Sequence, residues 1–150
     1  MLVGDDAKRG NLIKIKQRIG LDIVLMLTKQ KKEKVPNILE ASDAWLFLLG
    51  KTCLLKNVIA SKILEVMAMK RAIILGVQGE SADFVGRTDC GVCNKPENTR
   101  QLTDTILKLS IDSIIVDKLG KDGGLFVRTH YTCDNLAKAY LDVLDEVAAH

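Results

Sequence analysis

The chain has 150 residues, of which 47% are hydrophobic and 27% charged, so it can bury the core of one soluble domain. Its net charge of +3 and its 4% aromatic content are too low to indicate a nucleic-acid partner. No stretch reaches the roughly 18 apolar residues of a membrane span, and the first ten residues, MLVGDDAKRG, contain no apolar signal core, which predicts a cytoplasmic protein.

The first third of the chain alternates short apolar strands with helices. We predict the end of a strand at residues 1–3, an amphipathic helix at 8–19 closed by Gly20, a strand at 23–27, a helix from Val35-Pro36, and a strand at 43–49. Because the strand at 43–49 (DAWLFLL) is continuously apolar, we expect it to be covered on both faces.

Residues 58–80 (VIASKILEVMAMKRAIILGVQGE) contain the clearest binding pattern. Ser61 is predicted to cap a helix, and residues 71–75 then turn apolar and β-branched, as a buried strand does. A glycine loop, residues 76–79, separates this strand from the next helix. This succession is that of an open α/β sheet, in which ligands bind at the carboxyl ends of the strands, against helix N-termini.

The remaining elements complete one domain. We predict helices at 80–85, 98–109, 114–128 and 134–148, and a strand at 90–93. The pair Gly123-Gly124 is expected to weaken its helix. The predicted fold class is α/β, a Rossmann-like open parallel sheet with right-handed crossovers over residues 1–110, followed by a helical tail over 111–150.

Cysteine and histidine provide no convincing catalytic pattern. Cys90 and Cys93 have the spacing of a metal or redox pair, but no second CxxC occurs, and packing in a strand is the favoured interpretation. His130 and His150 lie in the helical tail, where a capping or surface role is favoured over catalysis. We therefore predict no metal site and leave the catalytic residues unknown.

Six segments, read in order, resemble the carboxyl-terminal domain of a retaining glycosyltransferase of the GT-B type, group 1: LVGDD, VPNILEASDAWLFLL, SKILEVMAMKRAIILG, GE, CGVC.KPEN and FV.THY. The resemblance covers residues 1–146 and is closest to enzymes that transfer acetamido sugars in O-antigen and capsule synthesis. It implies a Rossmann-like domain that binds a UDP-sugar or another nucleoside diphosphate-sugar and uses no cofactor. The acceptor would be a polysaccharide or a lipid-linked sugar near a membrane.

The resemblance also implies the donor-binding residues. Glu65 is similar to the second acid of the family's Glu–seven residues–Glu motif, which binds the ribose diol; the alternative is a helix acid that faces solvent. The phosphates would lie against the loop and helix start at residues 58–62, beside Lys62. The complete implied set is Gly4 and Thr28 beside the base, and Asn57, Val58, Ile59, Ser61, Lys62 and Glu65.

The sequence also departs from the family pattern. Asn57 occupies the position of the first acid, Ala60 that of a proline, and residues 70–72 (KRA) that of a Gly-x-Pro helix stop. The family's first strand, its basic pair that meets the diphosphate, and the acceptor domain would all lie before Met1. We therefore expect an incomplete donor-binding domain, residues 1–150, inactive alone and in need of the missing amino-terminal domain or a homo-oligomer partner.

Two other functions stay open at this point. The chain could be a non-catalytic subunit or one half of a two-chain transferase, in which case a large apolar surface is expected. It could instead be a nucleotide-binding module of the receiver or flavodoxin type. Against that interpretation, the acidic pair Asp5-Asp6 is not part of a larger acidic cluster.

Overall fold

The computed structural model describes residues 1–5, 7–48 and 58–148, which fall into two compact units, Met1–Ile38 and Leu39–His150. Strands and helices alternate as predicted. In chain order they are β1 (Leu2–Val3), α1 (Arg9–Arg18), β2 (Met26–Leu27), a short 3-10 helix (Lys32–Lys34), α2 (Val35–Glu40), β3 (Ala44–Leu48), α3 (Ser61–Ala68), β4 (Ala72–Gly76), α4 (Glu80–Arg87), β5 (Gly91–Cys93), α5 (Thr99–Ser110), α6 (Ser113–His130) and α7 (Cys133–Ala148).

In the first unit, β1 and β2 pair in parallel, with Leu2 opposite Met26 and Val3 opposite Leu27. The helix α1 connects them and ends at Arg18. Gly20 follows the C-cap residue Ile19 with a φ of +66°, which suits glycine, so the predicted helix stop is confirmed. The strand predicted at 23–27 is shorter than expected. The Val24 amide donates to the Leu21 carbonyl in a turn, so strand pairing begins only after that turn closes.

In the second unit, β3, β4 and β5 form a parallel sheet in that order, with β4 in the centre. All five residues of β4 are buried, as the apolar run predicted. Around this strand, the core includes Ile63, Val66 and Met67 from α3 and Phe84 and Val85 from α4. The parallel strands and helical crossovers confirm the predicted α/β class.

The edge strand β3 differs from the expectation. Leu46 and Leu48 are 41% and 56% exposed, so one face of the strand is open rather than covered. Within the described residues β3 pairs with β4 alone. Alternate residues of a strand point to opposite faces, but a continuous apolar run carries no alternation from which one-sided burial could have been predicted.

The helix α3 begins and ends differently from the prediction. Its N-cap is Ala60, and Ser61 is the first helical residue, so the prediction of Ser61 as the cap is wrong. At the other end, the Lys70 amide donates to the Met67 carbonyl and the Arg71 amide to the Val66 carbonyl. This is the Schellman pattern, with Lys70 at a φ of +54° in the position where the resemblance implies glycine. The departure at residue 70 therefore leaves the helix stop intact.

The two carboxyl-terminal helices are used in different ways. Gly120, Gly123 and Gly124 of α6 are its buried residues, and α6 packs against α3 and β4. The glycines expected to weaken this helix thus face its closest neighbours. By contrast, α7 has no buried residue. None of the helices in ranges 1–5, 7–48 and 58–148 is long and apolar enough to cross a membrane.

Candidate functional site

At the amino terminus of α3, the first backbone amides have no hydrogen-bond acceptor among the described residues. The N-cap residue Ala60 contributes no side-chain hydrogen bond. The first amide of α3 that donates a hydrogen bond within the helix is that of Ile63, and its acceptor is the Ala60 carbonyl. The amides of Ser61 and Lys62 come before it and have no acceptor within the helix. Their N–H groups and the positive end of the helix dipole therefore make this position favourable for an anion.

One face of α3 carries the predicted donor-binding side chains. Ser61, Lys62 and Glu65 are exposed. Glu65 follows Ser61 by four residues and Lys62 by three, which places it on the same side of the helix as both. Ile63, Val66 and Met67 are buried on the opposite side. An ammonium and a carboxylate are thus presented together beside the open helix terminus. This arrangement can neutralise a phosphate and accept hydrogen bonds from a diol within one turn of helix.

A buried serine holds the loop before α3. Ser81, only 1% exposed, donates from Oγ to the Val58 carbonyl at 2.8 Å and accepts from the Ala60 amide at 3.4 Å. Ser81 is in the first turn of α4, so the entry to α3 is tied to the neighbouring helix. Sequence reasoning missed this residue, since a bond between positions 81 and 58 leaves no local signal.

The remaining predicted donor-binding residues are divided between the first unit and the segment before α3. In the first unit Gly4 follows β1 and Thr28 follows β2, and the Gly4 amide donates to the Leu27 carbonyl at 3.2 Å. Both residues thus lie at the carboxyl ends of a parallel pair, where backbone groups can meet a ligand. Their role beside the base stays a prediction. Asn57 lies outside the described residues, and Ile59 is half-buried in the loop before α3.

Cys90 and Cys93 pack against neighbouring residues. Cys90 is fully buried and accepts a hydrogen bond from the Thr88 hydroxyl at 3.1 Å, and the Cys93 thiol contacts the Ala82 carbonyl at 3.5 Å. Burial raises the pKa of both thiols, and in Cys93 the nearby Cys90 and Asp83 raise it further. A raised thiol pKa disfavours the thiolate required for redox or metal chemistry.

Of the two histidines, His130 lies within the described residues, and its side chain is exposed. Its ring stacks on Phe126 at a centroid distance of 4.4 Å, and its Nδ1 lies 3.0 Å from the Phe126 carbonyl oxygen near the end of α6. Across residues 1–5, 7–48 and 58–148, no three His, Cys, Asp or Glu side chains are grouped as metal ligands would be.

No family model and no curated protein matches the chain. Solved structures do. Sucrose-phosphate synthase from Thermosynechococcus elongatus is similar with a TM-score of 0.75 and 18% identity over 99% of this chain. WaaG, a glycosyltransferase involved in lipopolysaccharide biosynthesis, is similar with a TM-score of 0.73 and 16% identity over 91% of this chain. The chain spans 38% and 35% of these two proteins, and at such identities the likeness shows the fold.

Proposed function

We propose that this chain binds a nucleoside diphosphate-sugar through α3 and takes part in glycosyl transfer to a polysaccharide or lipid-linked acceptor. One observation carries the proposal: the uncapped amino terminus of α3 presents Lys62 and Glu65 on a single exposed face. The likeness in fold to a glycosyltransferase and to a sucrose-phosphate synthase supports it. An acetamido sugar, UDP as the nucleotide and a cytoplasmic location are the finer parts of the proposal.

Each group on α3 has a separate task. The Ser61 and Lys62 amides bind the diphosphate, and the Lys62 ammonium balances its charge. Glu65 accepts hydrogen bonds from the ribose diol, one turn further along the helix. Positive groups aimed at the diphosphate also stabilise the charge that develops on it when the sugar leaves, which is an electrostatic form of catalysis.

Titration of the chain with UDP tests the donor site. Replacement of Glu65 by Gln removes the charged acceptor and should weaken binding about tenfold or more, because a hydrogen bond to a charged group contributes about 1.5–3 kcal/mol. The matched control is Glu40→Gln on α2, an exposed glutamate outside α3. Equal affinity of Glu65→Gln and the unaltered chain would remove Glu65 from the site.

The affinity itself tests whether the chain is sufficient. The resemblance attributes two further basic residues to the diphosphate site, and we propose that another polypeptide segment provides them. The chain alone should therefore bind UDP weakly and should not transfer sugar. Micromolar affinity comparable with that of a whole transferase would contradict the requirement for those residues.

A second candidate is a non-catalytic half of a two-chain transferase, and the surface of α7 favours it. Leu136, Tyr140 and Val147 are 50%, 66% and 71% exposed along this helix. An apolar stripe of this kind typically marks an association surface. Light scattering of the purified chain tests whether a second copy covers this stripe. A mass that rises with concentration would make α7 a homo-oligomer surface, and a monomer at all concentrations would leave a different polypeptide as its partner.

A further inference from the structure

A cleft of about 240 Å³ opens at the carboxyl edge of the three-stranded sheet, within the second unit. Leu48 at the end of β3, Gly76 at the end of β4 and Asn94 just after β5 line it, together with the first turn of α5. A neighbouring hollow of about 450 Å³ shares Lys95, Glu97, Asn98 and Thr99 with it. Clefts at this edge of a parallel sheet are where ligands of open α/β folds bind.

The amino terminus of α5 forms one wall of the cleft. The Asn98 side chain caps the helix by accepting from the Gln101 amide at 3.0 Å, and the Asn98 carbonyl accepts from the Leu102 amide at 3.1 Å. The amides of Thr99 and Arg100 precede these and have no acceptor within the helix. Thr99 lines the cleft, so a helix of 12 residues presents its positive dipole end and its first N–H group there, with the Arg100 amide next in the chain.

A buried, unsatisfied side chain in the cleft wall is the second and independent observation. Asn94 is 4% exposed; its Oδ1 accepts from the Thr105 hydroxyl at 2.7 Å, and its backbone amide donates to the Leu75 carbonyl at 2.6 Å. Its Nδ2 has no hydrogen-bond partner. A buried donor left unpaired costs about 1–3 kcal/mol, so a ligand oxygen that accepted from it would regain that free energy.

The donors around the cleft favour an oxyanion. Lys95 adds a positive side chain, and its own amide is already engaged by the Gln101 Oε1 at 2.9 Å. Glu97 adds one negative charge to the same wall, which limits the affinity of the site for anions. We infer that this cleft binds a phosphate group, held by the Thr99 and Arg100 amides, the Asn94 Nδ2 and the Lys95 ammonium. Neither the cleft nor the neighbouring hollow is lined by a residue of the donor-binding set proposed around α3, and the inference does not depend on the function proposed for α3.

The test is a titration of the ¹⁵N-labelled full chain with inorganic phosphate, followed by NMR. We expect saturable shifts of the Thr99 and Arg100 amides and of the Asn94 side-chain NH₂ signals.

Asn94→Leu should weaken phosphate binding about tenfold, the effect of one hydrogen bond to a charged group. The matched control Asn11→Leu, on the exposed surface of α1, should bind as the unaltered chain does.

Three outcomes would overturn the inference. They are shifts that do not saturate, shifts centred on surface lysines away from α5, and equal affinity of the Asn94→Leu and Asn11→Leu variants. Circular dichroism of each variant shows that it is folded, and Asn94→Asp provides a second, nearly isosteric variant that should repel phosphate. A parallel titration with UDP separates the two possible sources of phosphate. Shifts of the Thr99 and Arg100 amides by UDP at the concentration that saturates α3 would make the cleft part of the donor site and contradict a separate one.

Discussion

α6 and α7 have similar lengths, 18 and 16 residues, and opposite environments. Both carry apolar residues at helical spacing, but the residues that α6 buries are glycines, whereas α7 buries none. A Cβ on Gly120 would lie 2.2 Å from the Lys70 carbonyl oxygen, so the absence of a side chain is what allows α6 to approach the turn that follows α3. The comparison shows that an amphipathic pattern predicts a helix face without telling whether another element covers it.

The largest expected contrast between the two helices is in thiol reactivity. Cys133 is exposed at the start of α7, while Cys90 is buried beneath Gly123 of α6. We expect iodoacetamide to modify Cys133 at least about a hundredfold faster than Cys90, since a buried thiol reacts only after the structure opens. Peptide mass spectrometry reads each site separately. Comparable rates would mean that α6 does not cover Cys90 in solution.

Gly120→Ala tests directly the close approach of α6 to the turn that follows α3. The new methyl group would meet backbone atoms of Lys70, and we expect a loss of about 2 kcal/mol or more in the free energy of unfolding. The control is Gly86→Ala in α4, where a Cβ meets nothing within 4 Å. That change should stabilise the chain by up to about 1 kcal/mol, because alanine is the better helix former. A stabilised Gly120→Ala variant would show that α6 packs more loosely.

Alkaline pH should lower the free energy of unfolding through Cys90, the buried thiol beside α6. Burial raises the pKa of Cys90 in the folded state, so unfolding releases a proton at pH values above the ordinary thiol range. The stabilisation by this group is complete at neutral pH and is lost as the pH rises above about 8.5. Urea titrations at pH 7 and 9.5 should show a smaller decline for Cys90→Ala than for the unaltered chain. Cys133→Ala, whose side chain is exposed, should decline as much as the unaltered chain does.

The smallest effect is expected on α7 itself. Tyr140 is 66% exposed, so Tyr140→Gln should change the free energy of unfolding by less than about 0.5 kcal/mol. The matched aromatic on α6 is Phe126, whose ring packs edge-on against Phe84 at 5.7 Å. Phe126→Gln should therefore cost far more in the same urea titration. A large loss for Tyr140→Gln would mean that the apolar face of α7 is covered in solution.

Much of the fold could be predicted because its signals are local. The buried β4 strand, the glycine stop of α1 and the start of α5 near residue 98 each depend on a few consecutive residues. The open face of β3 and the N-cap of α3 could not be predicted in the same way. Both depend on which neighbouring element is present, and a continuous apolar run or an isolated serine is compatible with either outcome.

The residues of the candidate sites also differ in whether the sequence could predict them. Lys62 and Glu65 were selected through the family resemblance, and in the structure they lie with Ser61 on one exposed face of α3. Ser81 and Asn94 were not selected from the sequence, although Asn94 is a polar residue directly after a strand, which was an available signal. Their significance lies in bonds to Val58 and Thr105, and in an Nδ2 without a partner.

The sequence by itself determined the alternation of strands and helices, and hence the parallel α/β class, because backbone preferences and apolar periodicity act over a few residues. Only the tertiary structure decided that α6 is covered and α7 is not. It also decided that the glycines of α6 are contact points and that Asn94 lines a cleft beside α5. These outcomes depend on contacts between residues far apart in the chain, which local patterns do not encode.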